Sequence, residues 1–81
     1  MRAEYHKDDL EWKAYMDLFE FHKQYGVPEP KNDAYWSDMI EAANGLNIKY
    51  MGTRMAGVVN RHLIALMGLF NGEAKEQATQ S

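Results

Sequence analysis

The chain has no cysteine, only two prolines and no surplus of basic residues, and each absence removes a class of protein. Without cysteine there is no disulfide framework and no thiolate metal site to stabilise the fold. A chain of 81 residues forms one domain. Such a domain buries only about 60% of the surface that its unfolded form exposes. Small domains without cross-links often gain stability by association.

A formal net charge of −3 argues against a general DNA- or RNA-binding protein, since such proteins carry a basic face. The N-terminal stretch "MRAEYHKDDLEW" lacks the apolar segment of a signal peptide. The longest apolar run, "LIALMGLF" at residues 63–70, is far too short to span a bilayer. We therefore expect a cytoplasmic protein with no membrane association and no general affinity for nucleic acid.

Proline and glycine divide the chain into three segments with helical apolar spacing. Both prolines lie in the loop at residues 25–33, and residues 51–53 form a second break. No segment alternates with a period of two, so no strand is predicted. The predicted fold is an all-α three-helix bundle, with helices over about residues 9–25, 33–50 and 53–70.

Short polar residues define the expected helix ends. Asp8 or Asp9 can cap the first helix, the carboxylate of Asp33 can cap the second, and Thr53 can cap the third. Residues 71–81, "NGEAKEQATQS", carry no apolar face beyond two alanines. We therefore predict a single helical domain over residues 1–70 and a flexible, frayed tail over residues 71–81.

The dipeptide Asn44-Gly45 could end the second helix early. Apolar residues nevertheless keep one phase across it at 100° per residue. They are Trp36, Met39, Ile40, Ala43, Leu46 and Tyr50, with the polar Asn47 on the same side. One continuous helix is predicted, and a break at Asn44-Gly45 is the open alternative.

The first and third helices carry more apolar surface than a three-helix monomer needs, because such a helix buries one stripe little more than 100° wide. The first helix has one narrow polar stripe and is otherwise apolar or aromatic. On the third, Ile64 lies opposite the core face, flanked by Gly57 and Gly68, which let another helix come close. We predict a homo-oligomer; the alternative is a tight monomer with some exposed aromatic residues.

Groups suited to catalysis are few. The serine and threonine hydroxyls that could act as nucleophiles are those of Ser37, Thr53, Thr79 and Ser81, and no Gly-x-Ser-x-Gly motif surrounds any of them. The three histidines lack metal-ligand spacing, and no His-Glu-x-x-His motif occurs. We expect a protein that is not an enzyme and uses no cofactor or metal.

His62 falls within the apolar pattern of the third helix, between Val59 and Leu66. A lone histidine there is typical of a neutral core residue bonded to a buried partner, such as Tyr15, Tyr50 or Asn47. A ligand-binding role is the alternative. If the ring is buried, acid should destabilise the fold as the ring gains charge.

The stretch "KYMGTR" at residues 49–54 is the best match to a binding site. Free N–H groups and a positive helix end at this turn suit a phosphate or another anion. The predicted phosphate-binding residues are Lys49, Thr53, Arg54 and Arg61, and the predicted stacking residues are Tyr35, Trp36 and Tyr50. The alternative is an ordinary helix cap with solvated arginines.

The order "EW…F…HKQYG…P", then "DAYWSDMIEAANGLNIKY", then a short third helix resembles small uncharacterised helical proteins of phages and prophages of Gram-positive bacteria. The resemblance covers residues 10–70, mainly through the Trp and His-Lys-x-Tyr positions. It implies a small binding protein that acts against a host system. Some such proteins sequester a nucleotide immune signal within a helical oligomer, and others block a nuclease.

These observations predict a non-enzymatic binding protein, phage-encoded and cytoplasmic in the host, that sequesters a small anionic ligand such as a nucleotide signal at a helical oligomer interface. The alternative is a protein-interaction module that inhibits a host protein, for example a nuclease, or serves as an assembly subunit. The expected partners are a second copy of the chain, a nucleotide and a host protein.

Overall fold

The computed structural model describes residues 2–80, which form three helices: α1 (Leu10–Tyr25), α2 (Asp33–Tyr50) and α3 (Ala56–Gln80). All three helices contact one another, so the predicted all-α three-helix bundle is confirmed. Within the described residues there is no strand. Helix α2 runs unbroken through Asn44 and Gly45, because its apolar residues stay in phase across that dipeptide.

The first two helices begin on short polar residues. At α1, Asp9 occupies the N-cap position, but its carboxylate accepts a hydrogen bond from the His6 N–H at 2.8 Å instead of from a helix N–H. At α2, Asn32 is the cap, since its side-chain oxygen accepts from the Tyr35 N–H at 3.3 Å. The capping role predicted for Asp33 therefore belongs to the residue before it, and Asp33 places its charge in the first turn of the helix.

The turn between α2 and α3 is longer than predicted. Gly52 has a φ of 79°, which reverses the chain after Tyr50. The Thr53 hydroxyl donates to the Tyr50 carbonyl at 2.6 Å and accepts from the Met55 N–H at 3.2 Å. Because Thr53 holds this extra turn, α3 begins at Ala56, three residues after the predicted start.

The predicted end of the third helix at Phe70 is wrong, since α3 continues to Gln80. Residues 71–80 are therefore helical, and the prediction of a frayed tail fails over them; Ser81 lies outside the described residues. Ala74 is only 5% exposed, so the core reaches one turn past Phe70. The segment is also rich in Glu, Ala, Lys and Gln, which favour helix strongly enough to carry it through Asn71-Gly72.

Each helix contributes one stripe to a single core. In α1 the stripe has the i, i+4, i+7, i+11 spacing that places side chains on one side of a helix. The buried residues are Ala14, Leu18, Phe21 and Tyr25 from α1, Tyr35, Met39, Ala43 and Tyr50 from α2, and Met55, Val59, Leu63, Phe70 and Ala74 from α3 and the turn before it. Leu69, next to the fully buried Phe70, is 46% exposed.

The hydroxyl groups of the buried Tyr25 and Tyr35 both form hydrogen bonds. The Tyr35 hydroxyl donates to the carbonyl of Tyr25, and the Tyr25 hydroxyl donates to the carbonyl of Asp38 at 3.2 Å. These bonds tie the end of α1 to the start of α2. Because a buried hydroxyl without a partner is costly, they also explain how two tyrosines fit in the core.

Replacing Gly45 of α2 or Gly52 of the following turn by alanine should have opposite effects on the stability of the fold. At Gly45, inside the helix, a Cβ would meet nothing within 4 Å. Gly45→Ala should therefore stabilise the fold by about 1 kcal/mol and raise Tm by about 4–8 °C. At Gly52 the φ of 79° is unfavourable for alanine, so Gly52→Ala should lower Tm. Thermal unfolding followed by circular dichroism measures both; a lower Tm for Gly45→Ala would show that this position is covered in solution.

Candidate functional site

Arg54, the central residue of the predicted anion site, is bound by Glu11 of α1. Its Nε and Nη2 groups donate to the two carboxylate oxygens of Glu11 at 2.9 and 2.8 Å. The hydrogen bond from Arg54 holds the pKa of Glu11 below its usual value, and the same bond raises the pKa of Arg54. Part of the guanidinium still faces solvent, since the side chain is 67% exposed. An anion would have to displace the Glu11 carboxylate to take both donors.

Lys49 and Tyr50 share a second carboxylate, that of Asp17. One oxygen of Asp17 accepts from the Lys49 ammonium at 2.8 Å and from the Tyr50 hydroxyl at 2.6 Å. Partial burial acts to raise the pKa of Asp17, but the bonds from Lys49 and Tyr50 outweigh it, so the pKa lies below its usual value. Burial, followed by the bond to Asp17, raises the pKa of Tyr50 well above its usual value.

The remaining predicted phosphate ligands have different surroundings. Thr53 directs its hydroxyl proton to the Tyr50 carbonyl, as described above, and its oxygen to the Met55 N–H. Arg61 is exposed in the second turn of α3. The hydroxyl of Thr53 therefore makes its hydrogen bonds within the turn, whereas the side chain of Arg61 is open to solvent.

The predicted stacking residues do not lie together. Tyr50 and Tyr35 are only 2% and 7% exposed, so neither offers a ring face to a base. Trp36 is half-buried and packs edge-on against Tyr35, with ring centroids 4.7 Å apart. From Tyr35 to Tyr50 the helix rises about 22 Å. The structure thus gathers Lys49, Tyr50, Thr53 and Arg54 at one turn and leaves Tyr35 and Trp36 at the other end of α2; anion binding at the turn stays a prediction.

His62 is exposed, so the prediction of a buried core histidine is wrong. Its Nδ1 lies 2.8 Å from the Val58 carbonyl of its own helix, and its ring meets the edge of Tyr15 at a centroid distance of 5.9 Å. At 100° per residue, His62 falls on the flank of α3 beside α1, while Val59 and Leu63 face the centre. The apolar pattern could not separate the flank from the centre without knowing where α1 lies.

Four large side chains form what we call the outward face of α1: Trp12, Tyr15, Met16 and Phe19. They are 41%, 52%, 44% and 57% exposed, on the side of α1 turned away from its buried stripe. The narrow polar stripe of the sequence predicted this surplus of apolar surface. Clusters of exposed apolar side chains of this kind mark sites of contact with other molecules.

An open groove of about 660 Å³ lies at the N-terminal end of this face. Two residues from outside α1, Tyr5 and Met55, line it together with Glu11, Trp12, Tyr15 and Met16. No pattern in the sequence indicates a role for Tyr5, because this residue precedes the first helix and its position depends on how the chain folds back. The groove makes the outward face concave at one end, where a partner side chain can insert.

Comparison with models of protein families, with characterised proteins and with solved structures finds no match to the chain. Among the helices of the described residues, none is both long and apolar enough to cross a membrane. In the same part of the chain, no three histidine, aspartate or glutamate side chains are grouped so that they could hold a metal ion.

Asp17→Asn should cost about 1 kcal/mol at pH 7, because the bonds it loses are charged but partly screened by solvent. The folded state lowers the pKa of Asp17, so its contribution is present above the unfolded pKa of about 3.9 and lost as the pH falls through the folded value. Between neutral and acid pH, the Tm of wild type should therefore fall more than that of Asp17→Asn. The control is Glu20→Gln, which breaks an exposed pair with Lys23 and should follow wild type.

Two variants of the Arg54–Glu11 pair test the predicted anion site. If the turn binds an anion, Arg54→Ala should abolish binding of a nucleotide, and the loss of an ion pair whose arginine side chain is 67% exposed should lower Tm only slightly. Glu11→Gln should strengthen binding, since it removes the carboxylate that occupies the guanidinium. Calorimetric titration with nucleotides measures both. Equal affinities for wild type and the two variants would exclude this turn as the site.

Proposed function

We propose that this chain is a non-enzymatic binding protein that acts by contact with another protein chain, through the outward face of α1. The observation that carries the proposal is the stripe of four half-exposed apolar side chains on a helix whose core stripe is already complete. Burying such side chains is the main favourable term in protein association. Trp and Tyr, both present here, are the residue types that most often dominate contact energies.

The charged groups of the 49–54 turn support this choice over a small anionic ligand. Lys49 and Arg54 already have carboxylate partners within the chain, at 2.8 Å in both cases. The aromatic side chains of the outward face have no comparable cover. Contact with a protein through the outward face would therefore leave these two ion pairs intact. Binding of a nucleotide at the turn would have to displace their carboxylates.

The resemblance to small phage and prophage proteins supports a setting in the host cytoplasm, where contact through this face would inhibit a host protein such as a nuclease or join subunits of an assembly. The shape of the surface fits either use. A helix partner would lie along Trp12, Tyr15 and Phe19, and one of its side chains would enter the groove beside Tyr5.

A photoreactive amino acid placed on the outward face tests this function in cells. With the reactive group at Phe19, illumination should give a discrete covalent adduct with a protein chain, because this side chain would lie within the contact. The matched control places the same group at Ile48 of α2, which is 67% exposed against 57% for Phe19. No adduct at Phe19, or the same adducts at both positions, would refute the proposed surface.

A further inference from the structure

The outward face has the spacing of a surface that packs on another helix. Trp12, Tyr15, Met16 and Phe19 stand at i, i+3, i+4 and i+7, which forms a straight stripe over two turns. Lys23 extends the edge of this stripe by one more turn. Its ammonium lies 5.4 Å from the centre of the Phe19 ring and 3.2 Å from Glu20, so the side chain lies beside the stripe.

Charges of opposite sign flank the two ends of this stripe. Asp8 and Asp9 precede its first turn, and Lys23 lies in the last turn of α1. The helix dipole adds a positive N-terminal end and a negative C-terminal end. Two such helices placed parallel would oppose like charges at both ends. Placed antiparallel, each acidic end meets the basic end of the other helix, and the dipoles also pair favourably.

We infer that a second copy of this chain covers the outward face, in an antiparallel α1–α1 contact around a two-fold axis between Tyr15 and Met16. This register sets Trp12 of each copy opposite Phe19 of the other, and Tyr15 opposite Met16. It also sets Asp8 of each copy near Lys23 of the other. The contact is self-complementary, so it closes as a dimer instead of growing into a filament.

The inference rests on the proposed function, because it names the partner of the same face. A net charge of −3 per copy opposes association only weakly, since salt screens charges separated by more than about 8–10 Å.

The absence of native cysteine allows a direct test with single-cysteine variants of the full chain. Across the proposed axis the two copies of residue 16 are offset by one residue, about 1.5 Å along the helix, so Met16→Cys should form an interchain disulfide on mild oxidation. The two copies of residue 23 are about 22 Å apart, beyond the reach of about 7 Å for a disulfide, so Lys23→Cys alone should not cross-link. A chain that carries both Lys23→Cys and Asp8→Cys should cross-link, because the register sets these two positions near each other. The control, Ile48→Cys on α2, should stay uncross-linked.

Sedimentation of the purified wild-type protein should give twice the 9.4 kDa of one chain. Cross-linking of Lys23→Cys alone would overturn the antiparallel register. If Met16→Cys weakens the contact, Tyr15→Cys serves as the second variant, and failure of both to cross-link would overturn the axis. A mass of one chain at every concentration would overturn the dimer. If the photoreactive group at Phe19 then forms an adduct with a different protein, the proposed function still holds. If there is neither a dimer nor such an adduct, both the dimer and the proposed function are refuted.

Discussion

The core of this chain is a single layer of side chains, one stripe from each helix, and nothing covalent supports it. Met39, Val59, Leu63 and Phe70, the largest of the fully buried side chains, come from α2 and α3. Helix α1 closes this core with Ala14, Leu18, Phe21 and Tyr25. Because that one stripe fills the space available, the second apolar stripe of α1 remains outside. The outward face is thus a consequence of how little core three short helices can enclose.

Two groups of charged contacts near the 49–54 turn join α1 to the rest of the bundle. Glu11 binds Arg54, and Asp17 binds Lys49 and Tyr50. Six residues separate the two carboxylates, which places them on opposite flanks of the buried stripe at 100° per residue. They are compatible with one rotation of α1 about its own axis, the one in which Ala14, Leu18, Phe21 and Tyr25 face the core. Lys49 and Arg54, which the sequence indicated as ligands for an anion, therefore each bind a carboxylate of α1.

The sequence predicted the elements that depend on local signals and missed those that depend on packing. Helix α2 has its predicted bounds because short polar residues precede it and Gly52 follows it, although the cap is Asn32 and not the predicted Asp33. The end of α3 does not follow from the lack of an apolar face over residues 71–81, because helix-forming residues and the burial of Ala74 extend the helix to Gln80. The ion pairs between α1 and the 49–54 turn join positions more than 30 residues apart, and their partners follow only from the way the helices cross. For the same reason His62 could not be assigned to the flank of α3.

The energetics of the outward face explain why complementary charges matter for it. An aromatic side chain buries about 150–250 Å² when fully covered, so one that is half exposed can still bury on the order of 100 Å². At about 25 cal/mol per Å², each side chain of the face contributes roughly 2–3 kcal/mol on contact. Four such contributions are comparable to the roughly 4–15 kcal/mol that association costs in lost freedom and ordering. Burial of the four side chains of one copy therefore only about offsets the cost of association. A partner that adds an equal apolar stripe and opposite charges at both ends exceeds that cost, and a second α1 in antiparallel orientation supplies both.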